Sequence, residues 1–496
     1  MKKYVFICLT VCLALGVTKA KADTSSTVAV GDSMMVLSDI ISKGLPVLYI
    51  QTVDSEEPTC DYVSAPAGCM GKSITNATKV PGRMIIYKHI GEIDSVLYDS
   101  GDYEKDVSGM TIKIRGNTSA YGTKKPYKIK LQKKQDLLFR GDEATYKDKD
   151  WLLLKYDYLL SKAGFKVNEM LGLPWTPKLH FVSVVLNGNY KGLYMLCESV
   201  KRNPDCRINV DKNSGYIFEC DPYWWNEDVY VNSLTAPSYN FTFKYPESDE
   251  ILPEQLQYMQ TVVTDYENSL NGPDYTDKID VVTFAAWCLG HDIEGSQDAG
   301  GANRYYCKYD STDTSKIRMP LLWDFDMAER TSGAWSMSHI KHFQSLFNNA
   351  NRTFVDEYVG LWRKMNRTFF STISQYMNSF MLSSEGRALN ASLVLDGLSG
   401  GYTPANFTEH VDGRIIWYNS RYRWLNRQID AMNPIGDANI DGVVNVSDVT
   451  YLIDVLLGSA RAYRYANDVN GDGVIGIQDV TMLIDQLLNQ TSSPKD

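Results

Sequence analysis

Long apolar runs and positive charge are both scarce in this chain. The apolar run at the start, Tyr4–Gly16, is about a dozen residues and falls short of the roughly 20 that a membrane-spanning helix needs, and no other run is longer. It follows Lys2 and Lys3 and leads to Ala20-Lys21-Ala22, a pattern that reads as a secretory signal over residues 1–22, cleaved near Asp23. No cysteine sits just after the cut, so a lipid anchor is not expected, and the chain reads as secreted, extracellular or held at a cell surface. The formal charge of -10 falls to -14 once residues 1–22, with four lysines and no acid, are removed. That balance argues against nucleic acid or an anionic membrane as the main partner. No Cys-x-x-Cys spacing occurs, which argues against a zinc site. Cys60 and Cys69 bracket a Pro/Gly/Ala loop and could close a small disulfide, while Cys197, Cys288 and Cys307 sit among apolar neighbours and read as buried thiols.

Residues 23–221 read as strands and turns, with runs at 45–50, 84–87, 111–114, 127–131, 181–186 and 191–196. Asn187-Gly188 between the last two is a hairpin signal, and 158–172 reads as a helix. Beyond 250 the period becomes helical, at 253–270, 278–292, 352–382 and 408–431, interrupted by strand-like Arg304–Tyr309 and Ile317–Trp323. The fold class is therefore α+β, a mixed sheet followed by helices. Asn433-Pro434 ends the last helix and separates a domain at 23–432 (core 45–430) from a tail at 433–496, with a linker short enough to hold the tail close.

The tail repeats at a 31-residue interval, 436–458 matching 467–489. Calcium takes six to eight oxygens, and a 12-residue loop supplies them from alternate positions. In the first loop those positions hold Asp437, Asn439, Asp441, the Val443 carbonyl, Asn445 and Asp448, with Gly442 at the sharp turn. In the second they hold Asp468, Asn470, Asp472, the Val474 carbonyl and Asp479; Gly476 offers no side chain, so a water is expected there. Asp rather than Glu at the twelfth position, and no helix leading into each loop, resemble a type I dockerin. That resemblance implies an all-α module with two Ca2+ ions and a cohesin partner. It places the contact on Ser447, Asp448, Val449 and Thr450 and on Gln478, Asp479, Val480 and Thr481.

Three stretches stand out in the large domain: Arg115-Gly-Asn-Thr-Ser119 with Lys124–Leu131, Asn187-Gly-Asn-Tyr-Lys-Gly-Leu-Tyr194 with Glu198, and Gln297–Tyr306 with Trp323-Asp-Phe-Asp326. In this order they resemble the CotH family, named from a spore-coat protein, whose members are secreted or surface proteins with an atypical kinase-like fold. The residues fit phosphoryl transfer, which needs a base, metal-binding oxygens and cations on the phosphates. Asp298 and Asn303 have the spacing of a kinase catalytic loop, and Asp324-Phe325-Asp326 follows an apolar run as a DFG motif does. Asp298 is then the base or a metal-facing acid, Asn303 and Asp324 hold Mg2+ or Mn2+, and Asp326 shares it. Arg115, Lys128 and Lys130 are candidates for the phosphates of ATP. Glu198 would lie near the adenine or pair with a lysine. A Gly-x-Gly-x-x-Gly loop is absent, and where the resemblance leads one to expect an arginine after Trp151–Leu154, the nearest cations are Lys162 and Lys166.

Three functions are compatible with these residues. One is an ATP-dependent protein kinase with an unidentified phospho-acceptor protein, docked to a cohesin-bearing, cellulosome-like polysaccharide-degrading assembly. The second is a non-catalytic component of that assembly. The third is a glycoside hydrolase using Glu219 and Asp221, which face the same side of a strand. Tyr223-Trp224-Trp225 reads as aromatic core or a stacking platform, and His291 beside Asp292 as a helix-end histidine or a relay.

Overall fold

The computed structural model describes residues 23–142, 144–155, 158–235, 238–296, 303–398 and 406–491; the expected signal segment 1–22 lies outside them. Seven strands dominate the first half: β1 (Val47–Thr52), β2 (Val80–Ile90), β3 (Met110–Ile114), β4 (Tyr127–Gln135), β5 (Asp148–Leu154), β6 (Leu179–Leu186) and β7 (Asn189–Glu198). They pair in the order β5-β4-β3-β2-β1-β6-β7, and β7 pairs back onto β5, with Trp151 opposite Glu198 and Leu153 opposite Leu196. The sheet is thus a closed ring. Alternate residues of every strand, among them Ile50, Met84, Ile112, Ile129, Trp151, Val184 and Leu196, form one buried cluster, the barrel interior. Closure removes the unpaired edges that strands this rich in Val and Ile would otherwise expose. Asn187 and Gly188 take φ of 51° and 73°, as the two-residue turn between β6 and β7 requires.

The second sheet comprises β8 (Tyr216–Asp221), β9 (Tyr230–Val231), β10 (Asn240–Tyr245), β11 (Arg304–Lys308) and β12 (Ile317–Arg318), in the antiparallel order β9-β10-β8-β11-β12. The strand expected over Ile317–Trp323 stops at Arg318. Pro320 has no N–H for a ladder, and the amides of Met319 and Leu322 bond instead to Thr283 Oγ1 and Asn168 Oδ1. Helices α1 (Tyr158–Met170), α2 (Pro253–Ser269), α3 (Val281–Glu294), α4 (Lys341–Phe347), α5 (Thr353–Leu382), α6 (Ser384–Leu398) and α7 (Phe407–Met432) are the longer described helices of the large domain, and α8 (Val446–Leu456) and α9 (Ile477–Thr491) form the tail. The α+β class holds. The outward residues Leu152, Phe181, Leu193, Met195 and Cys197 of the barrel join the second sheet and the helices in the largest hydrophobic cluster, to which the tail adds Ile440, Tyr463 and Ala466.

The disulfide considered for Cys60 and Cys69 is not formed: both are free thiols, as are the five other described cysteines. Among the described residues no helix is long and apolar enough to cross a membrane.

Candidate active site

Alternation along β4 puts Ile129 into the barrel and leaves Lys128 and Lys130 outside, on the side where Leu152 packs toward the second sheet. Lys113 of β3 lies directly opposite Lys128. Burial lowers the pKa of Lys113, and Lys128 adds repulsion. Lys128 reaches Asp150 at 3.0 Å, and Lys201 binds the same carboxylate. Burial opposes ionisation of Asp150, but the two lysines outweigh it and hold its pKa well below the usual carboxylate range. Lys130 is exposed and makes no ion pair among the described residues. Arg115, just past β3, lies within electrostatic reach of Tyr305 on the second sheet.

Just before β11, Asn303 adopts φ 67°. Its N–H donates to Glu219 Oε1 and its side-chain amide to Asp324 Oδ2, both at 3.1 Å. Asp324 is itself left-handed, at φ 61°, a conformation non-glycine residues adopt at a cost and that functional sites retain. Glu219 pairs with Lys244 at 3.0 Å. Asp221, two residues along β8, accepts from Tyr223 N and Thr242 Oγ1; burial and then Glu219 raise its pKa to about 6. Phe325 anchors the turn: its ring meets Phe165 edge-on at 5.3 Å, and a Cβ on Gly164 would stand 2.3 Å from it. Asp326 acts electrostatically on Lys155, whose ammonium donates to the Lys124 carbonyl at 2.8 Å. Asp298 lies outside the described residues, in the segment 297–302 leading into Asn303.

Two expected cations and one acid sit elsewhere. Glu198 is on the interior side of the barrel with Leu196 and is 1% exposed. Its carboxylate takes Arg140 at 2.8 Å and the Lys178 amide at 3.0 Å, so its partner is an arginine rather than a lysine, and it seals the barrel end rather than facing Lys128. Lys162 pairs with Glu385 and lies over Phe380, and Lys166 pairs with Glu169; both face the helices. Lys155 was missed by sequence reading, although its place at the end of Trp151-Leu-Leu-Leu154 is the signal that could have found it. Tyr223, Trp224 and Trp225 form a half-buried turn that braces the Arg115 loop, with Tyr223 Oη at 2.8 Å from Thr118 Oγ1. His291 is fully buried, its ring tilted against Trp287 at 4.3 Å, and is held neutral, its pKa lowered to about 3 by desolvation. Asp292 turns to Tyr358 and the Ser336 amide, so the two make no relay.

In the tail, Asp437 Oδ1 and Oδ2 accept from the amides of Asp441 and Gly442, and Asp468 accepts likewise from Asp472 and Gly473. Asp448 folds back onto the amides of Ala438 and Asn439, and Asp479 onto Asn470. Each loop therefore closes into one turn with its carboxylates facing inward. Burial, and then the approach of Asp448 and Asp441, raise the pKa of Asp437. Such crowding of like charge fits a cation between them. Among the described residues no three His, Cys, Asp or Glu side chains are gathered as a metal cluster; these loops mix carboxylates with Asn439, Asn470 and the carbonyls of Val443 and Val474. Asn445 caps α8 by accepting from Ser447 N at 2.8 Å. The contact surface needs correction. Asp448 and Asp479 are fully buried and Val480 is 4% exposed, because they face the loops and the tail's own core. Val446, Ser447, Thr450, Ile477, Gln478 and Thr481 are the exposed residues there.

A family model described as CotH kinase protein matches residues 112–386, and one described as Dockerin type I domain matches 435–492. No curated protein matches the chain. Strands β1 and β2 precede the first match yet belong to the same closed barrel. A type I dockerin implies calcium binding and a cohesin partner. With more than half its length matched, the chain belongs to the CotH kinase family and carries a type I dockerin domain at its C-terminal end.

Proposed function

We propose that the protein is a secreted, ATP-dependent protein phosphotransferase whose kinase-like domain spans 23–432 and whose dockerin, 433–496, attaches it to a cohesin-bearing, polysaccharide-degrading assembly. The observation that carries this reading is the hydrogen bond between Asn303 and Asp324, residues 21 positions apart, with Asn303 two residues before Tyr305, which lies within electrostatic reach of Arg115. A carboxylate beside a side-chain amide is oxygen chemistry suited to a hard divalent cation. Asn303 and Asp324, with Asp326, would hold Mg2+ or Mn2+, which when bound neutralises phosphate charge. Arg115 takes the transferred phosphate's oxygens as a fork. Lys128, Lys130 and Lys155 supply further positive charge, and Asp298 removes the proton from the acceptor hydroxyl as its oxygen bonds to phosphorus and ADP leaves. Glu198 supports the barrel rather than the nucleotide.

The test is transfer of labelled phosphate from Mg-ATP or Mn-ATP to a generic acceptor protein, run beside Asp324→Asn. Transfer that disappears in the variant supports the reading. Absence of both transfer and a nucleotide-dependent thermal shift in the wild type rejects it in favour of a non-catalytic component. One observation favours that second reading: Lys128 is already paired with Asp150, and Lys201 with Asp150 and Asp148. For hydrolysis by Glu219 and Asp221, both carboxylates are buried and held by Lys244, Asn303 and Thr242.

A further inference from the structure

The two calcium loops are each fastened to the same long helix. Asp356, in the first turn of α5, is 1% exposed. Its Oδ1 accepts from Ala466 N at 2.7 Å and its Oδ2 from Tyr465 N at 3.1 Å. These amides stand immediately before Asn467 and Asp468, the start of the second loop. One turn along α5, Gly360 lies beneath the ring of Tyr465, where a Cβ would come within 2.0 Å. Arg352 N donates to Tyr463 Oη at 3.3 Å. Arg363 donates to the carbonyl of Asn433, four residues before Asp437, the first residue of the first loop. Asn467 ties the loops together: its side chain donates to the Ala438 carbonyl at 2.7 Å and accepts from Tyr463 N at 2.6 Å.

The dockerin's own core is small: among the described residues, Ala438, Leu452, Val469, Val480 and Leu483 are buried together. Its remaining anchors, Ile440, Tyr463 and Ala466, belong to the large cluster of the kinase-like domain. A module this small folds on gaining its metal, and here the segment it must order is also the segment that α5 grips.

We infer that calcium binding by the dockerin is coupled to the first turns of α5, through Asp356, Gly360 and residues 463–467, so that filling the loops tightens the joint between docking module and kinase-like domain. Linkage makes the effect reciprocal: what tightens residues 463–467 on α5 also raises calcium affinity. A consequence is that the dockerin does not swing on a tether. In the calcium-loaded chain the Asn303–Asp324 site keeps one orientation relative to whatever the dockerin binds. The inference rests on the dockerin's calcium binding and not on phosphoryl transfer.

The test is hydrogen–deuterium exchange on the full wild-type chain in calcium and in excess EGTA. Calcium should slow exchange at least about fivefold in residues 353–363 as well as in the loops 437–448 and 468–479. Slowed loops with unchanged 353–363 overturn the coupling while leaving calcium binding intact. No change in either overturns both. In parallel, Asp356→Asn and Gly360→Leu, titrated in calcium buffers as full chains, should each weaken the calcium midpoint by about five- to tenfold. Midpoints within twofold of wild type in both variants, with the far-UV spectrum preserved, refute the inference. Neither readout uses ATP, so an inactive kinase-like domain leaves the outcome unaffected.

Discussion

Asn303 and Asp324 meet through a 3.1 Å hydrogen bond, each held with a positive φ. Asn303 is fixed from behind by Glu219, and Asp324 by the burial of Phe325 one residue later. Two residues far apart in the chain are thereby presented as one oxygen-bearing unit.

Removing half of that unit should leave the fold in place. Asn303→Ala keeps its main-chain bond to Glu219 and loses only the side-chain amide. Phosphoryl transfer should fall by about a hundredfold or more, the scale of losing one preorganised transition-state contact, with a melting temperature within a few degrees of wild type. Labelled-phosphate assays beside differential scanning calorimetry check both halves.

Gly164 is the floor on which Phe325 rests. Gly164→Val drives a branched side chain into the ring, where even a Cβ stands at 2.3 Å. Overpacking of this kind costs about 1–3 kcal/mol. Urea denaturation should show that loss, and nucleotide binding by Asp324 should weaken with it, because the displaced ring moves its neighbour. An unchanged urea midpoint would contradict the contact.

Glu385 pins α6 to the barrel through His180 at 3.0 Å and the Phe181 amide, and to α1 through Lys162 at 3.2 Å. Burial opposes its ionisation, but His180 and Lys162 lower its pKa from 4.5 to about 2. A carboxyl depressed in the folded state stabilises above its unfolded pKa and loses that contribution as pH falls through the folded one. Stability should therefore decline between about pH 5 and pH 2. Glu385→Gln should flatten part of that decline and cost roughly 2–3 kcal/mol at pH 7. Chemical denaturation at several pH values reads both.

Gly442 takes φ 95° at the turn of the first calcium loop. Gly442→Ala forces a Cβ into that conformation at a cost of about 1–2 kcal/mol, which should weaken calcium binding by roughly tenfold at that loop. The second loop, with Gly473 unchanged, should bind as before. Calorimetric titration should resolve one weakened site and one intact site.

The sequence alone determined what depends on short-range pattern. The 31-residue repeat, the loop positions from Asp437 to Asp479, the hairpin at Asn187-Gly188 and the helices on either side of residue 300 are set by spacing and by backbone preferences that act over a few residues. The order of the Arg115, Asn187 and Asp324 stretches pointed to the family for the same reason. Tertiary structure decided the rest. Closure of the barrel through β5 and β7 sends Glu198 inward to Arg140 while Lys128 stays outside, and a one-residue change of face cannot be read without the register. Pro320 and two side chains from other helices replaced the ladder expected up to Trp323. Burial withdrew Asp448, Asp479 and Val480 from the contact surface. The joint at Asp356 needed Tyr465, 109 positions away, to be brought back onto α5. Local sequence specifies which groups can donate, accept or carry charge; long-range packing, by selecting the face and excluding water, specifies which of them meet.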